Sequence, residues 1–425
     1  MKKVICIILL LTLLLCGCTS QAAKPTTEPT AAPTQAELPS ETAAPTEEPT
    51  MSEEEAQAIL QERRDIVEAE MRHMMSVLWV SDVEASNKYR TLKAGRIYSG
   101  IPYTHGSGSG DSYLACGEPD ENGVYHITGL NSTIITGNSC TSYNHCARLG
   151  NDCADAVFWA WGRVSSTISF NGTRTMAPAM GCIKVGDYVC DDKVSYKNTV
   201  ITCQENGEDV MFAAYMQMQK GDAFTNYNGS TGHAFMFVDI HVEYTADGKI
   251  DAENSYALVH EQGGGGDQDG KTYFDETLGE TVYRICSTDN KYTFRKLFDN
   301  GYLPVTIKEL VDPSPLEEPW VEDSLEVRTI DDIYTGQITS NYRISHVTIE
   351  ITGADGKLLQ SSTCYARQDD KYTFPMKNYR IDALMDVLRG QLDLEALTAG
   401  TYTYTIKCHV ATGDTLVAQQ FNFSK

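Results

Sequence analysis

The clearest chemical potential in this chain lies at Cys153. It sits in Asn151-Asp152-Cys153-Ala154-Asp155-Ala156-Val157-Phe158-Trp159-Ala160-Trp161, a polar turn followed by an apolar run that predicts a helix. A cysteine at a helix N-terminus meets unpaired amides and the positive end of the macrodipole, and both favour the thiolate. The alternative is a buried, inert thiol. Two further segments weigh toward chemistry. Gly232-His233 opens the apolar run Ala234-Phe235-Met236-Phe237-Val238, so His233 begins a buried strand. Tyr256-Ala257-Leu258-Val259-His260-Glu261-Gln262 then forms a further strand that ends in polar groups. A thiol on a helix, an imidazole on a strand and a polar group on the next strand suffice for nucleophilic catalysis. The imidazole takes the thiol proton, the thiolate attacks, and the third group fixes the imidazole tautomer.

The order of these pieces is that of a papain-like thiol hydrolase, and the chain resembles the NlpC/P60 family of cell-wall cysteine peptidases. Four segments between about residues 95 and 265 carry the resemblance. Tyr98-Ser99-Gly100-Ile101-Pro102-Tyr103 is similar to the family's Gly-x-Pro-Tyr segment. Asn151-Asp152-Cys153-Ala154 with its Trp-containing helix resembles the Asp-Cys-Ser nucleophile motif. Gly221-Asp222-Ala223-Phe224 resembles the Gly-Asp-aromatic strand, and Gly232-His233 the base motif. Ala154-Asp155 stands where the family usually has Ser-Gly, and the interval from Tyr103 to Cys153 is longer than usual. The resemblance implies an α+β papain-like fold with Cys153 as nucleophile and His233 as base, Tyr103 lining the site and Asp152 contacting substrate, without metal or cofactor. Alignment to the family's closing Val-His selects His260 as the third catalytic residue. Strand alternation puts Glu261 on the opposite face, as the alternative. The implied reaction is cleavage of an amide in peptidoglycan stem peptides, next to D-glutamate or at the muramoyl–L-alanine bond. The competing reading is a non-catalytic surface binding or adhesion lipoprotein whose papain-like domain is inactive, in which His233 points away from Cys153.

Other chemistry-bearing residues point less far. Of thirteen cysteines, ten follow Cys18, at 116, 140, 146, 153, 182, 190, 203, 286, 364 and 408. Cys364 and Cys408 fall on separate strands of the C-terminal region and are candidates for a disulfide. Cys140, His145, Cys146 and Cys153 have the right types for zinc but lack the paired short spacings of a structural site. Gly263-Gly264-Gly265-Gly266-Asp267-Gln268-Asp269-Gly270 lacks the spaced ligands of a calcium loop and reads as a loop bordering the cleft. Gly106-Ser107-Gly108-Ser109-Gly110 has no strand–turn–helix context for a nucleophilic serine.

The elements that position these residues begin at residue 51. Ser52-x-x-Glu55 has the form of a capping box. Ile59, Ile66, Val67, Met71, Met74 and Leu78 recur at helical spacing, which predicts an amphipathic helix over 51–80 packed on the next domain. The catalytic domain is expected over 81–312. A break at Asp312-Pro313-Ser314-Pro315 precedes a strand-rich region, 316–425. There Val347, Ile349 and Ile351 alternate with polar residues, Asp355-Gly356 supplies a hairpin turn, and Tyr402 to Cys408 alternates again. Short strands over this length fit an all-β sandwich, and Ala399-Gly400-Thr401-Tyr402 resembles bacterial immunoglobulin-like modules. Ile381 to Arg389 looks helical.

The first fifty residues read as address and tether. Met1-Lys2-Lys3 precedes an apolar run from Val4 to Cys16 that is too short to span a bilayer and fits a signal peptide over 1–18. Leu15-Cys16-Gly17-Cys18 resembles a lipoprotein box, with Cys18 as the lipidated residue. Residues 19–50 hold six prolines and no aromatic residue and are expected to stay unfolded, reaching on the order of 100 Å. The expectation is a bacterial, extracytoplasmic protein whose membrane contact is the lipid anchor alone. The net charge of −24 argues against nucleic acid, which requires concentrated Lys and Arg.

Overall fold

A computed structural model describes residues 51–82, 84–86, 91–103, 114, 117–127, 150–168, 172–191, 193, 195–263, 271–323, 337–364, 379–382 and 392–425. The expected leader, Cys18 and tether lie outside these residues, as do Gly106–Gly110, the zinc candidates Cys140, His145 and Cys146, and all but Gly263 of the glycine-rich loop.

The N-terminal helix runs Glu53–Ser76, and Ser52 and Glu55 form the reciprocal capping box. Its inward stripe of Val67, Met71, Met74 and Met75 is almost fully buried. The helix ends sooner than its apolar spacing suggests. Val77 caps it, and Leu78–Ser81 is a strand instead. In the run Val77-Leu78-Trp79-Val80 all but Leu78 are β-branched or aromatic, which suits a pleated, half-buried surface better than a helix.

The site is built on an antiparallel six-stranded sheet in the order Ser287–Thr293, Tyr256–Glu261, Gly232–His241, Ala223–Tyr227, Leu303–Ile307, Cys182–Lys184. Alternation splits its side chains between two cores. Ala223, Ala234 and Met236 face the core shared with the N-terminal helix and the helix Cys153–Trp161. Phe224, Phe235, Phe237, Ala257 and Val259 face a second core, with the helices Glu208–Tyr215 and Phe294–Asp299. The sheet thus lies between helical layers, as burial on both faces requires.

A second six-stranded sheet contains Ile97–Ser99 beside Leu78–Ser81 and Glu280–Arg284. Trp79 and Tyr98 stack within it at 5.0 Å, and its chain continues directly into Ile101-Pro102-Tyr103.

After residue 320 there are two antiparallel sheets, one of three strands and one of four, around one core that includes Ile338, Ile344, Ile349, Tyr404 and Ile406. Gly356 takes φ +78° in the turn between Ile344–Gly353 and Leu358–Cys364, the hairpin expected at Asp355-Gly356. Two expectations fail in this region. Ile381 and Asp382 belong to the strand Tyr379–Asp382, paired with Gln337–Ser340, rather than to a helix; residues 383–390 lie outside the description. Cys408 is a free thiol. Val347 pairs with Cys364 on one side and Cys408 on the other, so the two cysteines are two strand spacings apart, roughly 10 Å and beyond disulfide reach.

Among the described residues no helix is long and apolar enough to cross a membrane. Nor does any group of three or more His, Cys, Asp and Glu residues among them form a metal cage.

Candidate active site

Cys153 is the first residue of the helix Cys153–Trp161 and is 5% exposed. Asp152 caps that helix, its Oδ1 accepting the Asp155 amide at 2.9 Å. A carboxylate oxygen of the residue expected to meet substrate is therefore committed to holding the nucleophile's helix. Gly150 takes φ +92°, and a Cβ there would lie 2.2 Å from the Pro102 carbonyl oxygen. That close approach brings the 101–103 segment onto the nucleophile turn, where Tyr103 forms a parallel bridge with Asn151. Gln262 pins the junction, its Nε2 donating to Ile101 O and Asn151 Oδ1, each at 3.0 Å.

His233 enters from the sheet. A Cβ at Gly232 would meet Thr173 Oγ1 at 1.9 Å and Asn226 O at 2.4 Å, so only glycine fits before the histidine. Asn226 Oδ1 accepts the His233 amide at 2.7 Å and fixes the strand's entry. The ring lies close enough to the Cys153 side chain for the sulfur to favour its charged form, and its Nε2 is hydrogen-bonded to Glu261 Oε1 at 2.7 Å. With Nε2 held by Glu261, Nδ1 is the ring nitrogen left to exchange a proton.

Glu261 is held on every side. Tyr292 donates its hydroxyl to Oε1 at 2.8 Å, and Asn290 Nδ2 donates to Oε2 at 2.6 Å. Both partners come from the neighbouring strand Ser287–Thr293, across a register slip between Val259↔Asn290 and Glu261↔Ser287. Asp289 takes up the slip with φ 52°, left-handed backbone that side chains other than glycine seldom adopt. Burial opposes ionisation of the Glu261 carboxyl, but His233, Asn290 and Tyr292 together lower it to about 2. Burial likewise opposes the charged form of His233, and Cys153 and Glu261 overcome it, raising the ring above its ordinary range. Buried Tyr302 packs its ring edge-on against Tyr292 at 5.9 Å, and burial followed by the charge of Glu261 raises its hydroxyl.

His260, the third residue selected by alignment, is elsewhere. It is fully buried on the opposite face, where Nε2 donates to Glu68 Oε1 of the N-terminal helix at 2.8 Å. Its Nδ1 accepts the Asp289 amide at 3.3 Å, so both ring nitrogens serve the packing of that helix. The one-residue offset between His260 and Glu261 reverses the facing, and Glu261 is the side chain that reaches His233.

Gly221-Asp222 ties elements together and does not touch the His233 ring. Asp222 Oδ1 meets Arg64 Nη1 at 2.8 Å with both side chains buried. Trp161, at the far end of the nucleophile helix, donates Nε1–H to Gly221 O at 2.7 Å. Burial raises the Asp222 carboxyl, against the opposing charge of Arg64.

Sequence reasoning did not find Asn290 and Tyr292. Their signal was the polar alternation of Asp289-Asn290-Lys291-Tyr292, which acquires meaning only once that strand is known to border Glu261. It also missed Arg343. This residue reaches across from the C-terminal region to Asp155 at 2.8 Å.

No family model matches this chain, and no curated protein matches it. Among solved structures, the crystal structure of CopC from Methylosinus trichosporium OB3b aligns at 14% identity over 21% of this chain and 74% of that one, with a TM-score of 0.12. A similarity of that size carries no argument about fold or function.

Proposed function

We propose that this chain is a surface-anchored cysteine hydrolase that cleaves an amide bond in peptidoglycan stem peptides. In this reading residues 81–312 are a papain-like domain of the NlpC/P60 kind, residues 316–425 are an immunoglobulin-like sandwich, and Cys18 bears the lipid anchor. The observation that carries it is the His233 ring, held at Nε2 by the Glu261 carboxylate at 2.7 Å and close enough to Cys153 for the sulfur to favour its charged form. A buried histidine with a purely structural role has no need of a nearby thiol and a fully hydrogen-bonded carboxylate on one nitrogen.

His233 Nδ1 takes the Cys153 proton, giving a thiolate beside an imidazolium whose Nε2–H is held by Glu261. The sulfur attacks the carbonyl carbon, and the developing oxyanion is met by the Cys153 amide, one of the helix N–H groups without an intrahelical partner. His233 then gives its proton to the leaving amine, the C–N bond breaks, and a thioester remains. Water, deprotonated by the same imidazole, releases the acid and restores the thiol. Glu261 holds ring and tautomer throughout and is not itself protonated. Tyr103 and Asp152, beside the nucleophile turn, border the substrate path.

The test is incubation of purified peptidoglycan with the intact chain and with Cys153→Ala, reading released stem peptides by mass spectrometry. Release that depends on Cys153 supports the reading, and the mass of the new amine-bearing fragment identifies the bond. Equal release by the alanine variant sinks it.

A further inference from the structure

The bulge that carries Asn290 is held from the N-terminal helix. Asp289, with φ 52°, occupies left-handed backbone that a residue other than glycine keeps only where its surroundings hold it there. Two contacts do so. Arg72 Nη1 reaches Asp289 Oδ2 at 3.3 Å, but both side chains are nearly half exposed, and an ion pair in that setting contributes little. The other contact is buried: the Asp289 amide donates to His260 Nδ1 at 3.3 Å. His260 is itself fully buried, and its Nε2–H donates to Glu68 Oε1 at 2.8 Å. A ring that accepts at Nδ1 and donates at Nε2 is neutral.

Among the described residues, the charged groups facing this ring are Glu68 and Arg72 of the helix, paired at 2.7 Å, and Asp289 of the neighbouring strand. The strand on the other side presents Met236, and Glu261 of the ring's own strand turns to the opposite face. Burial, joined by the charge of Arg72, outweighs Glu68 and Asp289, so the ring is protonated only below its ordinary 6.5. The unfolded chain takes that proton first. The contribution of His260 to stability is therefore complete above pH 6.5 and fades as pH falls.

Protonation reverses the chemistry of the contact. A proton on Nδ1 sets two N–H groups against each other across 3.3 Å, and the Asp289 amide loses its acceptor. The next residue, Asn290, donates Nδ2–H to Glu261 Oε2 at 2.6 Å. A bulge that relaxes out of the left-handed region carries this donor away and leaves a carboxylate oxygen of Glu261 short of a partner.

We infer that His260 is an acid-sensitive latch on Glu261: protonation at Nδ1 releases the Asp289 bulge, draws Asn290 off the carboxylate and loosens its grip on His233. The latch is closed at neutral pH and opens in acid. Its effect on turnover rests on the hydrolase reading, whereas the opening does not, and the test reads the two separately.

Hydrogen–deuterium exchange of the intact chain is followed by mass spectrometry from pH 7.5 to 4.5, with rates corrected for intrinsic chemical exchange. Over residues 286–293, wild-type protection is expected to fall by roughly tenfold as the Asp289 bond is lost. His260→Gln is expected to keep its protection throughout, because its amide offers an acceptor and a donor and does not titrate. Glu68→Gln removes a charge that favours the imidazolium, and is expected to move the fall to lower pH. Flat wild-type protection overturns the inference, and so does an equal fall in His260→Gln. If His260→Gln does not fold, Glu68→Gln decides: a fall that stays in place or moves to higher pH overturns the latch.

Turnover on purified peptidoglycan over the same pH series tests the coupling. The wild type is expected to lose severalfold more activity on acidification than His260→Gln. Parallel losses, with the bulge seen to open, overturn the link to Glu261. A wild type that releases nothing at any pH overturns the hydrolase reading instead, and the exchange result alone then upholds or overturns the latch.

Discussion

His260 and Glu261 are neighbours in the chain, and the pleat sends one to the N-terminal helix and the other to the His233 ring. Their substitutions should separate accordingly. Glu261→Gln keeps the shape but loses the charge that holds His233, and turnover should fall by roughly 10²- to 10⁴-fold. His260→Gln should leave turnover within a few-fold of wild type while lowering thermal stability, because its Glu68 contact belongs to packing. A larger loss of turnover at 260 than at 261 would reverse the assignment. The same pair gives a pH dependence. Glu261 is lowered from 4.5 to about 2, so its contribution to stability is complete above pH 4.5 and fades as pH falls toward about 2. His233 is raised from 6.5 to about 10, so its contribution is complete below pH 6.5 and fades as pH rises toward about 10. The gap in melting temperature between wild type and Glu261→Gln should therefore be widest near pH 4.5–6.5 and narrow on both sides. A gap that is flat with pH excludes the ion pair as its source. At this scale the local settings of Cys153 and His233, a helix start and a strand start, were legible because each has a distinctive local pattern. Which of His260 and Glu261 meets His233 was not, because facing depends on strand register, and residue types do not fix register across a bulge.

The N-terminal helix, the nucleophile helix and the sheet converge on one buried pair, Arg64 and Asp222. Arg64 also donates to Lys220 O at 2.9 Å and Leu310 O at 2.9 Å, so a single guanidinium joins the helix to two further segments of the chain. Removing one partner leaves a buried charge uncompensated. Asp222→Ala should cost about 3–5 kcal/mol of stability, read as a lower denaturation midpoint, with Asp222→Asn costing less. If the loss is under about 1 kcal/mol, the pair is not what joins these elements. The capping box, the helix it starts and the Gly-Asp turn could all be read from local sequence. The helix C-terminus could not, since Val77-Leu78-Trp79 continues the apolar spacing while its branched and aromatic residues join a sheet that forms only in the folded chain. Cys364 and Cys408 show the same limit: each was correctly assigned to a strand, but the strand lying between them was not evident from spacing.

Over the whole molecule the acid is unevenly spread, with −16 on residues 51–315 and −6 on residues 316–425. Under the proposed function, a stem peptide bearing free carboxylates would approach a domain of its own sign, so long-range steering would work against encounter rather than for it. Salt should then help. The Debye length shrinks from about 30 Å at 0.01 M to about 8 Å at 0.15 M, which screens the net repulsion while leaving short contacts within the cleft largely intact. The rate at low substrate concentration should rise severalfold between these ionic strengths, mainly through KM, with kcat nearly unchanged. A neutral amidated fragment of the same length should show little of this effect. Pre-steady-state binding of the two fragments across a sodium chloride series separates the cases. If the rate on the anionic fragment falls as salt rises, a local positive patch must dominate the approach, and the net charge of the domain does not govern encounter with the wall.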